Sequence, residues 1–318
     1  RKMTSCNILI TSAGRRVSLV ELFQKAIIQL DIKGKVFAVD LQEHAPALQV
    51  ADESQVVMRV TDEDYIDQLL EICKINDINL IVSTIDTELN ILSAASDLFS
   101  QHNIKVLVCS NDTNHIFMDK RRSQHFFENN NIPTPRLYSN EESIGLTDDK
   151  YPLLLKPANG SCSIGVTKVY NKKELMFFLE YLNDPIVQEF IQGDEYTIDV
   201  LVDFYGRVQC AVPRLRIETR AGEVSKAITV NDKEIIDWSY KVAGLMDGAM
   251  GCITLQCFKQ KKGELKFIEI NPRFGGGFPL TAAAGANYPL WILQMLSDQS
   301  IQTDMQAQWQ DNFSMLRF

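Results

Sequence analysis

Residues 6–109 alternate short apolar runs with stretches of helical periodicity, and this alternation limits the possible folds more than any other feature of the chain. The run at 6–10 is typical of a buried strand, and apolar residues then recur at helical spacing from Val17 to Leu30. Further strands are predicted at 35–39, 55–58, 80–82 and 104–108, with helices at 65–73 and 87–100. Strands separated by helices pair in parallel, so the sequence predicts a doubly wound α/β unit.

The bulk composition excludes several classes of protein. At 318 residues the chain is longer than one hydrophobic core usually organises, so two or three subdomains are expected. A net charge of −9 argues against nucleic-acid binding, and no apolar run approaches the ~18 residues of a membrane span, so no membrane association is expected. The seven cysteines are scattered and the four histidines form no metal-spaced cluster, which favours reduced thiols in the cytoplasm over disulfides or a zinc site.

The turn after the first strand contains a lone glycine and two arginines. Asp40, at the end of the second strand, is placed like the acid that binds the ribose in dinucleotide-binding proteins. Their fingerprint, however, is Gly-x-Gly-x-x-Gly, and this turn has only Gly14, so a dehydrogenase is not favoured. Arg15 and Arg16 could hold a substrate anion at the start of the helix, or could be exposed at a tight turn. Asp86 also has two open interpretations, a ligand-binding residue at a strand end or a helix cap.

A second unit follows the two prolines of residues 131–135, which indicate a stiff connector. An apolar strand over 153–157 carries Lys156 near its end, and the small-residue loop 159–165 comes directly after it. Glycine and serine in such a loop let backbone N–H groups approach phosphate oxygens closely. The loop is not a P-loop, because Gly-Lys-Ser/Thr is missing and a strand follows it.

Two strands then meet at Gly193, where the free backbone groups of a short connector could bind the edge of an adenine. Glu195 beside it could accept hydrogen bonds from ribose hydroxyls or be an exposed carboxylate. Arg214 and Arg216 are one strand period apart and therefore share a face, as polyphosphate binding or a solvated surface would require. Residues 219–226 are polar and rich in turn formers, which predicts a mobile loop.

The stretch 254–277 reads as a hairpin with its turn at Lys262-Gly263. A two-residue turn there places Gln256 opposite Glu269, and alternation puts Asn271 on the same face. One carboxylate and two amide oxygens form a hard oxygen site that suits Mg²⁺. An amphipathic hairpin with a polar face is the alternative interpretation of this stretch.

The order of these parts resembles the ATP-grasp superfamily, and within it the stand-alone proteins similar to the synthetase domains of the carbamoyl-phosphate synthase large subunit. The resemblance covers residue 6 to about 297, and its specificity lies in six motifs in one order. They are Met118-Asp-Lys120, Leu155-Lys156-Pro157, the loop 159–165, the stretch 188–197, Gln256, and Glu269-Ile-Asn271-Pro-Arg273.

The resemblance implies a doubly wound pre-ATP-grasp domain followed by an ATP-grasp fold of two α+β subdomains, so that the whole chain combines α/β and α+β classes. The implied boundaries are 1–110 for the first domain and 111–318 for the second. Within the second, 111–150 is a linking helical segment, 151–193 the small ATP-binding subdomain with its lid, and 194–318 the catalytic subdomain.

Residue roles follow from the same resemblance. The implied nucleotide-binding residues are Lys120, Lys156, Gly160, Ser161, Ser163, Gln188, Glu189, Phe190, Ile191 and Glu195. Glu269 matches a carboxylate that bridges two Mg²⁺, with Gln256 on one ion and Asn271 on the other. Arg273 matches the arginine that stabilises the transferred phosphoryl group, and Arg216 and Lys226 are looser matches to residues at the γ-phosphate or substrate. Many relatives have Glu where this chain has Gln256, which changes the charge at the metal.

The resemblance implies an ATP-dependent carboxylate–amine or carboxylate–ammonia ligase that forms an acyl-phosphate and releases ADP and phosphate. ATP with two Mg²⁺, or Mn²⁺, would be the cofactors, and a small-molecule carboxylate and an amine or ammonia the partners; dimers are common among such proteins. The alternatives are the synthetase subunit of a split carbamoyl-phosphate-synthase-like complex and a non-catalytic ATP-binding regulatory protein. The expected substrate pocket draws on Gly14, Arg15, Asp86, Glu88 and the segments 214–226 and 274–287.

Overall fold

A parallel five-stranded sheet occupies the N-terminal third of the computed structural model, which describes residues 3–158, 165–220, 223–297 and 304–316. Its strands are β1 (Asn7–Thr11), β2 (Val36–Asp40), β3 (Glu53–Val56), β4 (Ile78–Ser83) and β5 (Lys105–Leu107). Its helices are α1 (Val17–Gln29), α2 (Pro46–Val50), α3 (Tyr65–Ile75), α4 (Asp86–Ala94) and α5 (Ser96–Ser100). The spatial order β3-β2-β1-β4-β5 confirms the doubly wound prediction, with the direction of winding reversed between β1 and β4.

Two helices, α6 (Asn111–Met118) and α7 (Lys120–Asn129), link this sheet to the rest of the chain. Asp119 separates them because its backbone is extended, and its carboxylate accepts a hydrogen bond from the Arg121 backbone N–H at 2.8 Å. This cap satisfies a helix donor that would otherwise lack a partner. It also makes Lys120 the first residue of α7.

The second sheet has four antiparallel strands in the order β6-β9-β7-β8. They are β6 (Leu137–Tyr138), β7 (Leu153–Pro157), β8 (Thr167–Val169) and β9 (Pro185–Glu189), accompanied by α8 (Asn140–Ile144), a 3₁₀ turn at Asp148–Lys150 and α9 (Lys172–Tyr181). Leu153 and Leu155 are buried in a small core, so alternation directs Lys156 to the other face of β7.

The third sheet is the largest, with six antiparallel strands in the order β14-β13-β10-β11-β12-β15. They are β10 (Gly193–Val202), β11 (Val208–Arg220), β12 (Glu223–Thr229), β13 (Gly251–Gln260), β14 (Leu265–Asn271) and β15 (Ser314–Leu316). The remaining helices are α10 (Lys233–Gly244), α11 (Phe278–Ala283) and α12 (Tyr288–Leu296), with a 3₁₀ turn at Met305–Ala307. The loop predicted at 219–226 is wrong, because the described part of that stretch continues β11 and begins β12.

One hydrophobic core joins the first sheet to the third. Phe23 of α1 meets Phe274 edge-on at 6.4 Å between ring centroids, and Phe274 in turn meets Phe278 at 4.9 Å. Aromatic contacts of this kind fix the relative position of the elements that carry them. No helix in the described ranges is long and apolar enough to cross a membrane, and the six cysteines described there are buried free thiols.

Candidate active site

One face of the third sheet carries a band of polar side chains across four strands. Thr197 is opposite both Arg214 and Gln256, and Gln256 is in turn opposite Glu269. Since residues directly opposite each other share a face, the register alone gathers these side chains. The band consists of Glu195, Thr197 and Asp199 on β10, Arg214 and Arg216 on β11, Thr254 and Gln256 on β13, and Glu269 and Asn271 on β14.

The hairpin of β13 and β14 has a three-residue loop, so the predicted two-residue turn at Lys262-Gly263 is wrong. Gln260 donates its backbone N–H to the Glu264 carbonyl at 2.9 Å, and Gly263 donates to the Gln260 carbonyl at 2.8 Å. Gly263 has a φ of +90°, which glycine adopts without the steric penalty of a Cβ. A type I turn followed by a residue with positive φ is a common three-residue hairpin connection.

A bulge at Ile268 corrects the register that the longer loop would otherwise shift. On the loop side of the bulge Cys257 is opposite Phe267, and on its far side Gln256 is opposite Glu269. The predicted pairing of Gln256 with Glu269 is therefore confirmed, although the turn that suggested it was wrong. One residue gained in the loop is offset by one residue left unpaired in β14.

Lys120, Lys156 and Glu269 come together from three separate elements. The pKa of Lys156 falls from its ordinary value of 10.5 to about 8, mainly because the side chain is buried; the charge of Glu269 opposes this shift and that of Lys120 adds to it. The Lys120 backbone N–H donates to the Ala158 carbonyl at 3.2 Å, which ties the start of α7 to the end of β7. Two cations beside one carboxylate form a site suited to phosphate groups.

The connector between β9 and β10 lies at the junction of the second and third sheets. Gln188 is buried in β9, and Glu189 is held to Arg136, which accepts from the Glu189 N–H at 2.8 Å and donates its own N–H to the Glu189 carboxylate at 3.1 Å. Ile191 is also buried. The Lys168 ammonium lies 3.8 Å from the centroid of the Phe190 ring, a cation–π contact.

Gly193 begins β10 where that strand approaches β13 closely. A Cβ at this position would lie 2.4 Å from the Lys259 carbonyl oxygen, so only glycine allows the approach. Glu195 follows, and the Arg216 guanidinium donates from Nη1 to its carboxylate. The structure thus places the predicted ribose acid on the polar band, already paired with a neighbouring cation.

Arg273 leaves the end of β14 and reaches the first sheet. Its Nη2 and Nε donate to Asp86 Oδ2 at 2.7 and 3.2 Å, and its carbonyl accepts from Thr254 Oγ1 at 2.8 Å. Asp86 is the first residue of α4 and does not cap it, since the N-cap is Ile85 without a side-chain bond. Of the two interpretations of Asp86, the structure supports a residue of the site.

Comparison with known proteins identifies the superfamily. A family model described as "PylC-like, N-terminal domain" matches residues 8–107, and one described as "ATP-grasp in the biosynthetic pathway with Ter operon" matches residues 182–317. The chain belongs to the ATP-grasp superfamily. The two matches cover the first sheet and the third sheet with its polar band.

The relatives of this ATP-grasp chain are distant. A D-alanine–D-alanine ligase from Pseudomonas entomophila is 26% identical to this chain, over 57% of the chain and 64% of that protein. The carbamoyl phosphate synthase large chain from Methanobrevibacter smithii is 27% identical, over 69% of the chain and 23% of that protein. The chain thus spans less than two thirds of either relative. The biotin carboxylase domain dimer of 2-oxoglutarate carboxylase from Hydrogenobacter thermophilus, solved with MgADP, superimposes with a TM-score of 0.76 at 18% identity, over 99% of this chain and 74% of that one. At that identity the likeness shows the fold.

Three polar residues predicted near the ligands have other partners in the structure. Arg214 is 1% exposed and donates to the fully buried Asp199 from Nε at 2.8 Å, so it is a structural ion pair and not a free cation for polyphosphate. Lys226 pairs with Glu218 at 2.6 Å, and Arg216 is opposite Ala227, so the register does not place Lys226 directly opposite Arg216.

Glu88 is the third of these residues, and its expected place in the substrate pocket is also wrong. It is fully buried and accepts hydrogen bonds from Ser83 at 2.6 Å, from Thr11 at 2.8 Å and from the Tyr65 hydroxyl. Burial raises the pKa of the Glu88 carboxyl above its ordinary value. Asp40 is likewise structural, since its carboxylate accepts the Gly14 N–H at 2.8 Å.

Asp199 and Thr254 lie on the polar band, and the sequence analysis did not single them out as members of it. Polar residues at alternate positions of β10, an otherwise apolar strand, were the signal that could have revealed Asp199. Gly160, Ser161 and Ser163, predicted to close over the phosphates, lie outside the described residues.

The oxygen set on the polar band fits a magnesium ion that arrives with a nucleotide. The described part of the chain contains no group of three or more His, Cys, Asp and Glu side chains placed to hold a metal by themselves. Glu269 supplies one carboxylate, and the cross-strand pairings place the amide oxygens of Gln256 and Asn271 on its face. Mg²⁺ is usually bound through one or two carboxylates, with the rest of its shell from phosphate and water, and Glu269 supplies one such carboxylate.

Proposed function

We propose that the protein is an ADP-forming ligase that joins a small carboxylic acid to an amine or to ammonia at the expense of ATP. The observation that carries the proposal is that the buried Lys156 lies within electrostatic range of both Lys120 and Glu269, and that Glu269 is directly across the hairpin from Gln256. Two cations and an oxygen site on one face are what the triphosphate and its metal require. The D-alanine–D-alanine ligase and the carbamoyl phosphate synthase among the relatives support the reaction class.

In this proposal the chain's residues position ATP between the second and third sheets. The connector at 190–192 faces the adenine with its backbone groups, and Glu195 accepts from the ribose in exchange for its contact with Arg216. Lys120 and Lys156 offset the phosphate charge. Gln256, Glu269 and Asn271 would hold two Mg²⁺ ions, or Mn²⁺, which when bound neutralise and orient the β- and γ-phosphates.

Phosphoryl transfer then makes the acid reactive. A carboxylate oxygen of the acid attacks the γ-phosphorus, the bond from that phosphorus to the bridging oxygen breaks, and ADP leaves. Arg273, held at the edge of the polar band, donates to the equatorial oxygens where charge accumulates. The amine nitrogen attacks the acyl carbon of the resulting acyl-phosphate, the carbon–oxygen bond to phosphate breaks, and the nitrogen releases a proton to solvent.

An ADP-release screen tests this proposal. MgATP is incubated with pooled small carboxylic acids and pooled amines, ammonia included, and the products are separated by mass spectrometry. ADP and phosphate that appear only when one acid and one amine are both present support the ligase. Formation of AMP and pyrophosphate would contradict the mechanism. If ammonia were the only amine accepted, the result would favour the synthetase subunit of a split complex. Tight ATP binding without turnover would favour a regulatory protein.

A further inference from the structure

A fully buried carboxylate lies in the first turn of the helix that begins with Asp86. Glu88 is the third residue of α4, two positions after Asp86, and none of its surface is exposed. Its Oε2 accepts hydrogen bonds from Thr11 Oγ1 at 2.8 Å and from Ser83 Oγ at 2.6 Å, and its Oε1 accepts one from the Tyr65 hydroxyl. Both carboxylate oxygens are therefore hydrogen-bonded, as a buried polar group requires.

The three hydroxyl donors belong to three different elements around the first sheet. Thr11 and Ser83 are the last residues of β1 and β4, and the register pairs them directly. Tyr65 is the first residue of α3 and is buried. Glu88 thus connects the start of α4 to two strand ends and to a second helix. A buried polar network whose members all have partners holds its side chains rigidly.

The start of α4 lacks the side-chain cap that commonly fixes a helix at this end. Ile85 is its N-cap residue and makes no side-chain hydrogen bond to the helix. A Ser, Thr, Asp or Asn side chain usually occupies this position and binds the free N–H groups of the first turn. In α4 the carboxylate of Glu88 lies in that turn, where the helix dipole favours negative charge, and binds groups outside the helix. The position of the first turn therefore depends on the contacts of Glu88.

The same turn carries the partner of the proposed catalytic arginine. Asp86 Oδ2 accepts hydrogen bonds from Arg273 Nη2 at 2.7 Å and from Arg273 Nε at 3.2 Å. A shift of the first turn of α4 would move the Asp86 carboxylate, and with it the Arg273 guanidinium. A displacement of about 1 Å in a group that acts on the reacting atoms can reduce a rate by roughly a hundredfold.

We propose that Glu88 is a positioning residue for Arg273 and that it acts through Asp86. The three hydroxyl groups hold the Glu88 carboxylate, the carboxylate fixes the first turn of α4, and Asp86 in that turn holds the guanidinium of Arg273 at the edge of the polar band. Glu88 itself does not touch the reacting atoms. The inference rests on the proposed ligase function for the rate that it affects, and on the observed contacts for the position of the guanidinium.

Variants that remove single hydroxyl groups test the proposal without emptying the core. Tyr65→Phe keeps the aromatic ring and removes one donor to Glu88, and Thr11→Val keeps the branched side chain and removes another. Each is made alone and together with Asp86→Asn in the full chain, and Thr11→Val serves if Tyr65→Phe fails to fold. Tyr181→Phe is the matched control, since it removes the hydroxyl group of a tyrosine that is 72% exposed.

The measurements are kcat from ADP release, the Kd for ADP from calorimetry, and the ¹H–¹⁵N signal of Arg273 Nε, assigned with Arg273→Lys. We expect Tyr65→Phe and Thr11→Val each to lower kcat by about threefold to tenfold, because the lost hydrogen bond to a carboxylate loosens the turn that carries Asp86. The Arg273 signal should shift in both variants, and the Kd for ADP should stay unchanged. In the Asp86→Asn background neither variant should lower kcat further, since both act through the same contact. Tyr181→Phe should behave as the native chain.

Equal losses of kcat with and without Asp86→Asn would overturn the proposal, because a general loss of stability acts independently of that contact. An unchanged kcat or an unchanged Arg273 signal in Tyr65→Phe would overturn it as well. If the native chain forms no ADP from MgATP with any acid and amine, an Arg273 signal that depends on Tyr65 and Asp86 would retain the positioning role and reject the ligase.

Discussion

Arg273 and Asp86 are 187 positions apart in the chain, and their side chains meet at 2.7 Å between Nη2 and Oδ2. Both are mostly buried, with 15% and 24% of their side-chain surface exposed. The second oxygen of Asp86, Oδ1, is buried without a hydrogen-bond partner in the described part of the chain. The first sheet thus fixes the position of the arginine that the third sheet contributes to the site.

Asp86→Asn should lower kcat on the order of tenfold, because a small displacement of the Arg273 guanidinium would misplace a group that acts on the reacting phosphate. The Kd for ADP should stay unchanged. The amide keeps an oxygen acceptor but loses the charge that holds the guanidinium. Steady-state kinetics and nucleotide titration separate the two effects. Asp97→Asn, at an exposed residue of α5, is the control. A loss of ADP affinity equal to the loss of kcat would show that Asp86 acts on folding or on the nucleotide site.

Glu269→Gln should reduce turnover by a factor on the order of a hundred or more, since it removes the only carboxylate among the three proposed metal ligands. The melting temperature should change little, because Glu269 is only partly buried. ADP release at several Mg²⁺ concentrations and a thermal melt give the two measurements. Glu264→Gln, in the same hairpin but exposed, should behave as the native protein. Full activity in Glu269→Gln would remove this residue from the metal site.

Nucleotide binding should take up a proton at Lys156 near pH 8. Burial lowers the pKa of this lysine to about 8 in the free protein, and a bound polyphosphate favours the charged form, so its pKa rises on binding. Affinity for ADP should therefore fall as pH rises from 7 to 9, by up to about tenfold per unit above the free pKa. Calorimetry at pH 8 in two buffers of different ionisation enthalpy measures the uptake. In Lys156→Arg, whose side chain stays charged, the uptake from this position should disappear; its persistence would assign the proton elsewhere.

Arg214→Met should destabilise the protein by about 3–5 kcal/mol, the usual effect of leaving one member of a buried ion pair uncompensated. Asp199 would keep its bond from Thr281 but lose both guanidinium donors. Urea unfolding measures the change, and Asp199→Asn combined with Arg214→Met should recover part of it. Lys35→Gln breaks an ion pair in which both side chains, Lys35 and Glu53, are more than half exposed, and should leave the free energy of unfolding nearly unchanged. Similar changes for Arg214→Met and Lys35→Gln would contradict the structural role of Arg214.

The hairpin of β13 and β14 shows how far local sequence reasoning reaches. Alternation and a turn signal were enough to predict that Gln256 faces Glu269, and the register confirms the pairing. The structure reaches this pairing differently from the predicted two-residue turn. The three-residue loop shifts the strand register by one residue, and the bulge at Ile268 shifts it back. A bulge has little local sequence signature, because it depends on how both faces of the sheet pack.

The sequence by itself determined the strands of the first sheet and their doubly wound arrangement, the hairpin of β13 and β14, and the polar positions Gln256, Glu269 and Asn271, because apolar periodicity and turn residues act over short distances. The partners of charged residues needed the tertiary structure. Nothing near Arg214 in the sequence distinguishes it from Arg216, yet one is buried against Asp199 and the other contacts Glu195. Pairing energies and burial depend on residues brought together from distant parts of the chain, and only the packed core decides which charges meet.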